Sequence, residues 1–243
     1  MKTVTIMGIP FIHIDQAGFV DLLVRRIDSQ EKTFVVTANP EIVMKANEDA
    51  EFMKTILKAD FVTADGIGVV KAAQLMGDPL PGRVTGFDTT MELLKIANVK
   101  HYKMYFLGAK KDTIEKMVDN IRRDYPGIDV VGYHDGYFDW KKSSEIADEA
   151  ASLKPDIILT ALGFPKQEKW ISENMDKFEY GLFMGIGGTF DIIAGTAQRA
   201  PKFWVKMNLE WLYRLLKQPS RWRRMLVLPK FAGKVIKDKF RKK

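Results

Sequence analysis

The sequence predicts an α/β protein built on a mostly parallel β-sheet. Short β-branched runs alternate with amphipathic stretches, and two of the runs, IILTAL and LFMGI, are apolar throughout. Strands that are apolar on both faces are typical of a parallel sheet covered by helices on both sides. The chain of 243 residues, 46% of them hydrophobic, is long enough for a large core. The composition excludes disorder and collagen. The lack of cysteine excludes disulfides, thiolate catalysis and Cys-ligated metals.

Strands and helices alternate in chain order. The β-branched runs predict strands at 3–7, 33–37, 61–63, 103–107, 129–133, 156–162 and 181–186. Apolar residues at three- and four-residue spacing predict helices at 16–28, 41–58, 67–76, 88–97, 112–124, 142–153 and 166–176. Pro40 and Pro165 each stand where a proline suits the first turn of a helix.

Two lobes and an appendage are predicted. From 103 to 186 the order is βαβαβαβ, which indicates a Rossmann-like, mostly parallel sheet in a lobe over 98–195. Residues 1–97 predict a smaller mixed α/β lobe, and 196–243 a helical basic appendage. No linker composition separates the lobes, so we expect them to be tightly apposed.

Charge is distributed unevenly along the chain. Fifteen Lys or Arg and two acids between 199 and 243 give +13, whereas the first 198 residues carry 23 basic and 29 acidic groups, or −6. This asymmetry indicates an anionic partner for the appendage, either a membrane surface or a polyphosphate chain. We expect no nucleic-acid partner, because the aromatic residues form one apolar face and are not interleaved for base stacking.

The stretch at 201–217 predicts one amphipathic helix. Its polar stripe consists of Lys202, Lys206, Glu210, Arg214 and Lys217, and the rest of its circumference is apolar. Two interpretations stay open. The apolar face packs on the body or on a second subunit, as in a homo-oligomer, or it lies at an anionic membrane surface, which residues 199–243 would contact. Both hold if oligomerisation covers the face in solution.

No targeting or membrane-spanning segment is expected. The first residues predict a strand and not a signal peptide, and the apolar stretch at 180–190 is shorter than the about 20 residues that span a bilayer. We therefore expect a cytoplasmic protein.

Six loops at predicted strand ends are candidates for the site, because parallel α/β sheets bind ligands at the carboxyl ends of their strands. They are TANPE (37–41), ADGIGVV (64–70), FLGAKKDT (106–113), YHDGYF (133–138), LGFPKQEKW (162–170) and IGGTFDIIAG (186–195). None contains GxGxxG or GxxxxGK[ST], which argues against dinucleotide oxidoreductases and P-loop NTPases. DxD pairs are also lacking, so an anionic ligand would be met by backbone amides and arginines.

Several of these loops, with RVTGFD at 83–88 and GIGGTFDIIAGTAQRAP at 185–201, resemble the WecG/TagA/CpsF family of bacterial glycosyltransferases over nearly the whole chain. The resemblance implies metal-independent, cofactor-free transfer from a UDP-sugar donor to a lipid-linked sugar acceptor, at the inner face of the cell membrane. Its TagA-like branch moves N-acetylmannosamine onto undecaprenyl-diphosphate-linked N-acetylglucosamine with inversion, forming a β1,4 linkage in the wall teichoic acid linkage unit. A sister branch using a uronic acid or hexose donor, and a non-enzymatic UDP-sugar-binding protein, are the alternatives.

The resemblance also implies roles for individual residues. Asp65 would be the general base, because an inverting transfer needs a carboxylate to accept the proton of the acceptor hydroxyl. Its alternative role is a helix N-cap. The residues expected to bind substrate are Thr37, Asn39, Arg83, Gln167, Gly187, Gly188, Asp191 and Tyr137.

These binding residues also have structural alternatives. Thr37 and Asn39 are equally suited to cap a helix, and an aromatic residue such as Tyr137 is more often part of a core. The resemblance places Arg214, Arg221 and Arg224 at the leaving UDP diphosphate, where cations would stabilise the developing charge. Binding lipid headgroups is the alternative for these arginines.

Overall fold

A computed structural model describes residues 1–219 and 222–241. Within them one sheet contains β1 (Thr3–Ile6), β2 (Ile9–Ile12), β3 (Lys32–Ala38), β4 (Phe61–Ala64), β5 (Lys103–Gly108), β6 (Asp129–His134), β7 (Ile157–Ala161) and β8 (Gly181–Gly185). The strand order is β1-β2-β4-β3-β8-β7-β5-β6, and every neighbouring pair except β1–β2 is parallel. The predicted α/β fold with a mostly parallel sheet is confirmed.

Helices cover both faces of this sheet. They are α1 (Gln16–Asp28), α2 (Pro40–Glu48), α3 (Ala50–Leu57), α4 (Ile67–Met76), α5 (Gly86–Lys100), α6 (Lys111–Asp124), α7 (Ser143–Ser152), α8 (Lys166–Asn174), α9 (Thr189–Ile193), α10 (Lys202–Lys206), α11 (Glu210–Lys217), α12 (Trp222–Met225) and α13 (Val227–Arg241). Two core clusters result. Alternate residues of one strand belong to different clusters, with Phe34 and Val36 in one and Val35 in the other.

Three local features differ from the predictions. The strand predicted at 3–7 is present as β1, but an unpredicted strand, β2, follows it in a β-hairpin, because Met7 and Gly8 both adopt positive φ, as a two-residue hairpin turn requires. The helix predicted over 41–58 is two helices. Asp49 is extended and accepts hydrogen bonds from the amides of Glu51 and Phe52, so it begins α3. The short helix α9 lies within 186–195, where the sequence predicts a loop.

The sheet runs without a break through both predicted lobes. Strand β3 pairs with β8 in parallel from Lys32↔Gly181 to Val35↔Met184, so strands of 1–97 and of 98–195 are hydrogen-bonded neighbours. The predicted boundary at 97/98 falls inside α5. The division into two tightly apposed lobes stays a prediction.

Part of the appendage packs on the body. Helix α13 contacts α2 and α4, and its Phe231, 4% exposed, and Val235 belong to the core. The single helix predicted over 201–217 was wrong: α10 and α11 are separated at Asn208, whose φ of +58° interrupts helical geometry. Across the described ranges, no helix is both long and apolar enough to cross a bilayer.

Candidate active site

Two adjoining cavities lie at the carboxyl ends of the parallel strands, between the body and the appendage. The larger, of about 1460 Å³, follows the ends of β3, β5, β7 and β8, and the smaller, of about 220 Å³, lies between α4 and α11. Seven of the described residues line both cavities: Thr37, Asn39, Glu41, Asp65, Ile186, Gly188 and Arg224. The strand-end loops singled out from the sequence therefore converge, as the parallel topology requires.

Asp65 lies at the junction of the two cavities. It follows β4 directly, and its backbone N–H donates to the carbonyl of Ala38 at 3.0 Å, which fixes it to the end of β3. The N-cap of α4 is Gly66 and not Asp65, so the capping role considered for Asp65 is not the one observed. A Cβ at Gly66 would lie 2.8 Å from Pro40, which explains the glycine beside the carboxylate.

Thr37 and Asn39 line the same two cavities as Asp65. The Thr37 hydroxyl donates to the carbonyl of Gly185 at 3.2 Å. Asn39 is the N-cap of α2, and its Oδ1 accepts from the amides of Glu41 and Ile42 at 2.9 and 3.1 Å. The capping interpretation of Asn39 is thus correct, and its position on both cavities leaves its side-chain amide nitrogen as the group suited to a ligand.

Arg83 lines only the smaller cavity, where it belongs to a largely buried charge cluster. Its Nη1 lies 3.9 Å from Oε2 of Glu210 on α11. Nearby, Arg199 forms two contacts of 2.7 and 3.0 Å with Asp88. Burial of the Asp88 carboxyl works against ionisation, but hydrogen bonds from Arg199 and Thr85 outweigh it and lower the pKa of this carboxyl. Sequence reasoning missed Arg199, although it lies within the quoted stretch at 185–201.

Gln167 is buried beneath the larger cavity and holds the loop after β8. Its Nε2 donates to Oε1 of Glu168 at 2.8 Å, and its Oε1 accepts from the N–H of Gly187 at 3.2 Å. A Cβ at Gly185 would lie 2.5 Å from Gln167 Nε2, so only glycine leaves room for this amide. The Gly187 N–H, which we expected to face a ligand, is engaged by Gln167.

Glu168 is a buried carboxyl that sequence reasoning missed. It is 2% exposed, and burial raises its pKa to about 7 although the hydrogen bond from Gln167 acts in the opposite direction. Its Oε2 has no hydrogen-bond partner. A signal was available: Glu168 stands three residues before Ile171, on the same face of α8, and that face packs against the core.

Three further predicted residues line the larger cavity. Tyr137 is 75% exposed at its rim, whereas the neighbouring Phe138 stacks on Trp140 and packs against the core. Gly188 is the N-cap of α9, and Asp191 lies on that helix facing the same space. Tyr137 is thus the aromatic residue of this loop that remains available for stacking.

Arg224 brings the appendage to the cavities. Its Nη2 and Nε donate to Oε2 of Glu41 at 2.6 and 3.1 Å, which ties α12 to the first turn of α2. Arg221 lies outside the described residues, as does the side chain of Arg214. Over 1–219 and 222–241, no group of three or more His, Asp or Glu residues could hold a metal ion.

An α/β sheet whose strand ends form a two-part cavity, with Arg83 and Arg224 on its walls, has the arrangement in which nucleotide-binding α/β folds hold their ligands. The chain belongs to the glycosyl transferase WecG/TagA/CpsF family, whose model matches residues 4–243. This finding confirms the resemblance drawn from the sequence motifs.

Curated relatives align over nearly the full length. The relatives share the name N-acetylglucosaminyldiphosphoundecaprenol N-acetyl-β-D-mannosaminyltransferase. The protein from Bacillus spizizenii is 40% identical over 238 residues, which cover 98% of this chain and 92% of the relative. The protein from Bacillus subtilis strain 168 is 38% identical over 244 residues, which cover 100% of this chain and 94% of the relative. The protein of that name from Staphylococcus aureus strain MW2 is 36% identical over 238 residues, 97% of this chain and 93% of its own.

Proposed function

We propose that this glycosyltransferase moves N-acetylmannosamine from UDP-N-acetylmannosamine to N-acetylglucosamine on undecaprenyl diphosphate, the acceptor that the relatives' names give. The product is the linkage disaccharide of wall teichoic acid. Relatives of that name at 36–40% identity support this donor over the uronic acid or hexose of a sister branch. The observation that carries the proposal is the position of Asp65, on the wall of both cavities.

Each cavity suits one of the two substrates. The larger has room for a nucleotide-sugar. On its wall, Tyr137 offers a stacking surface, Gly187 and Gly188 allow close approach to the backbone, and Asp191 offers a hydrogen-bond acceptor. The smaller cavity has a mainly apolar outer wall, suited to the first isoprene units of the acceptor lipid. That wall consists of Ile67, Ile192, Trp211, Leu215 and Leu228.

Asp65 would act between the two bound substrates. Its carboxylate accepts the proton of the acceptor hydroxyl as that oxygen attacks the anomeric carbon, and the bond to UDP breaks on the opposite side with inversion. Charge develops on the departing diphosphate, and arginines stabilise it without a divalent metal. The place of Arg83 and Arg224 on the cavity walls supports this role for them. For Arg214 and Arg221 the role remains a prediction from the family motif.

We further infer that residues 199–243 bind an anionic membrane surface, which would place the enzyme on the inner face of the cell membrane. Phe203, 67% exposed, and Leu216 project apolar surface beside Lys202, Lys206 and Lys217. Each basic residue near such a surface contributes about 1 kcal/mol. A homo-oligomer formed through the same apolar face is the competing proposal.

Vesicle sedimentation separates the two. Phosphatidylglycerol vesicles should bind the wild type less strongly as the salt concentration rises. They should bind the Phe203→Ser/Leu216→Ser variant several-fold more weakly than the Val99→Ser variant, which carries a matched change at an exposed apolar residue of the body. Equal binding by both variants, together with a change of mass in solution only for the double variant, would favour the oligomer.

The donor and the metal requirement are tested by UDP release with a short-chain polyprenyl-diphosphate N-acetylglucosamine acceptor. Acceptor-dependent release from UDP-N-acetylmannosamine that persists in EDTA is expected. Release from UDP-glucose or UDP-N-acetylmannosaminuronic acid alone would assign a sister branch. UDP binding without release from any donor would instead indicate a non-catalytic UDP-sugar-binding protein.

A further inference from the structure

Over residues 1–219 and 222–241, the structure gives no ion pair to the buried carboxyl of Glu168. Its side chain is 2% exposed, Oε2 is without a hydrogen-bond partner, and the side-chain donor given to Oε1 is Gln167. Burying such a group costs stability that an apolar side chain of the same size would not cost. A destabilising group in a well-packed helix calls for a role, and its side-chain hydrogen bond from Gln167 shows where that role lies.

That contact fixes which way the Gln167 amide faces. A glutamine amide has a donor end and an acceptor end of nearly the same shape. With Nε2 bonded to Glu168, Oε1 faces the N–H of Gly187 at 3.2 Å. The opposite orientation would set Oε1 against the carboxyl and the NH2 group against the Gly187 N–H. The carboxyl of Glu168 therefore selects one orientation.

The selected orientation of the Gln167 amide affects the larger cavity through the backbone that lines it. The amide of Gln167 lies against the end of β8, in the space that the missing side chain of Gly185 leaves. Gly187, held at φ +49°, follows two residues later, and residues 185–188 all line the larger cavity. A hydrogen bond to Gly187 at this point restrains the cavity floor.

We propose that Glu168 is a positioning residue, which orients the amide of Gln167 and thereby holds the loop at 185–188 in the shape that the nucleotide-sugar requires. Its effect on turnover rests on the proposed function. Its effect on the loop does not, because that effect exists without any substrate.

The loop is tested first, in the protein without substrate, by amide hydrogen exchange at Gly187 measured by NMR. Glu168→Leu removes the acceptor for Gln167, and we expect Gly187 to exchange at least about tenfold faster while the amides of β8 keep their rates. Glu168→Gln retains an oxygen acceptor and should remain close to wild type. Glu168→Met, unbranched like glutamate, is measured in parallel in case the leucine variant does not fold.

Turnover is tested next. A displacement of the cavity floor by about 1 Å can lower the rate about 100-fold, so kcat/KM of Glu168→Leu should fall by one to two orders of magnitude without a loss of thermal stability. Because Glu168 acts through Gln167, the Gln167→Leu/Glu168→Leu double variant should be no slower than Gln167→Leu alone. Glu173→Leu, on the exposed side of the same helix, is the matched control and should leave kcat/KM unchanged.

Two results would overturn the proposal. One is wild-type exchange at Gly187 in both Glu168→Leu and Glu168→Met. The other is a double variant whose loss of turnover is the product of the two single losses. A wild type that transfers no sugar would count against the proposed function only, since the exchange measurement would still decide the role of Glu168.

Discussion

Replacing Glu168 by glutamine should change how the stability of the protein responds to pH. Burial raises the pKa of the Glu168 carboxyl from 4.5 to about 7 in the folded chain. Between these values the folded state binds a proton that the unfolded state has lost, so stability falls as pH rises. The difference between the folded and unfolded pKa values, at about 1.4 kcal/mol for each pH unit, corresponds to about 3 kcal/mol in the free energy of unfolding. The contribution is fully present below pH 4.5 and is lost as pH passes about 7.

The assay is urea unfolding followed by tryptophan fluorescence, at a series of pH values from 4.5 to 8.5. The Glu168→Gln side chain does not titrate, so the free energy of unfolding of wild type relative to this variant should fall by about 3 kcal/mol across the range. Changes in packing shift this difference by a constant amount and do not affect its trend with pH. Glu173→Gln, on the exposed face of α8, should show almost no trend. A difference that stays constant with pH would refute the reasoning.

Three further substitutions test the packing of the site. Gly185→Ala places a Cβ 2.5 Å from a buried amide nitrogen of α8, so urea unfolding should show a loss of about 1–3 kcal/mol and UDP release should slow. Phe231→Ala should lower the free energy of unfolding by about 3–5 kcal/mol, and limited proteolysis should then remove α13. Phe240→Ala, at an exposed residue of the same helix, should change neither the stability nor the proteolysis pattern. Arg224→Gln should reduce kcat about 100-fold through lost diphosphate stabilisation, with exposed Arg123→Gln as the unaffected control. A wild-type rate for Arg224→Gln would assign that arginine to the surface alone.

The sequence allowed prediction of the strand order in the chain and of the loops that meet at the site, because buried parallel strands have a simple apolar pattern and share one carboxyl edge. Asp65 lies in one of these loops, and the family resemblance implied its role. The β1–β2 hairpin was missed because Met7 gives no strong turn signal beside Gly8. Glu168 was missed because a carboxyl is normally taken as exposed, although its three-residue spacing from Ile171 places it on the buried face of α8.

The appendage contacts were beyond sequence reasoning for a different reason. Helix α13 has apolar residues at helical spacing, but this pattern does not say whether they face the body, a second subunit or a membrane. The structure places Phe231 in the core and leaves Phe203 exposed. The ion pairs between Arg224 and Glu41, and between Arg83 and Glu210, join segments more than a hundred residues apart, so no local pattern predicts them.

The central claim is that Asp65 is the base of a sugar transfer. The direct test compares acceptor-dependent UDP release by Asp65→Asn and by Asp78→Asn, an aspartate of the exposed surface, with UDP-N-acetylmannosamine as donor. The account predicts that Asp65→Asn still binds UDP and unfolds at the wild-type temperature, but loses at least about 100-fold in kcat, while Asp78→Asn keeps the wild-type rate. Near-normal turnover by Asp65→Asn would contradict it.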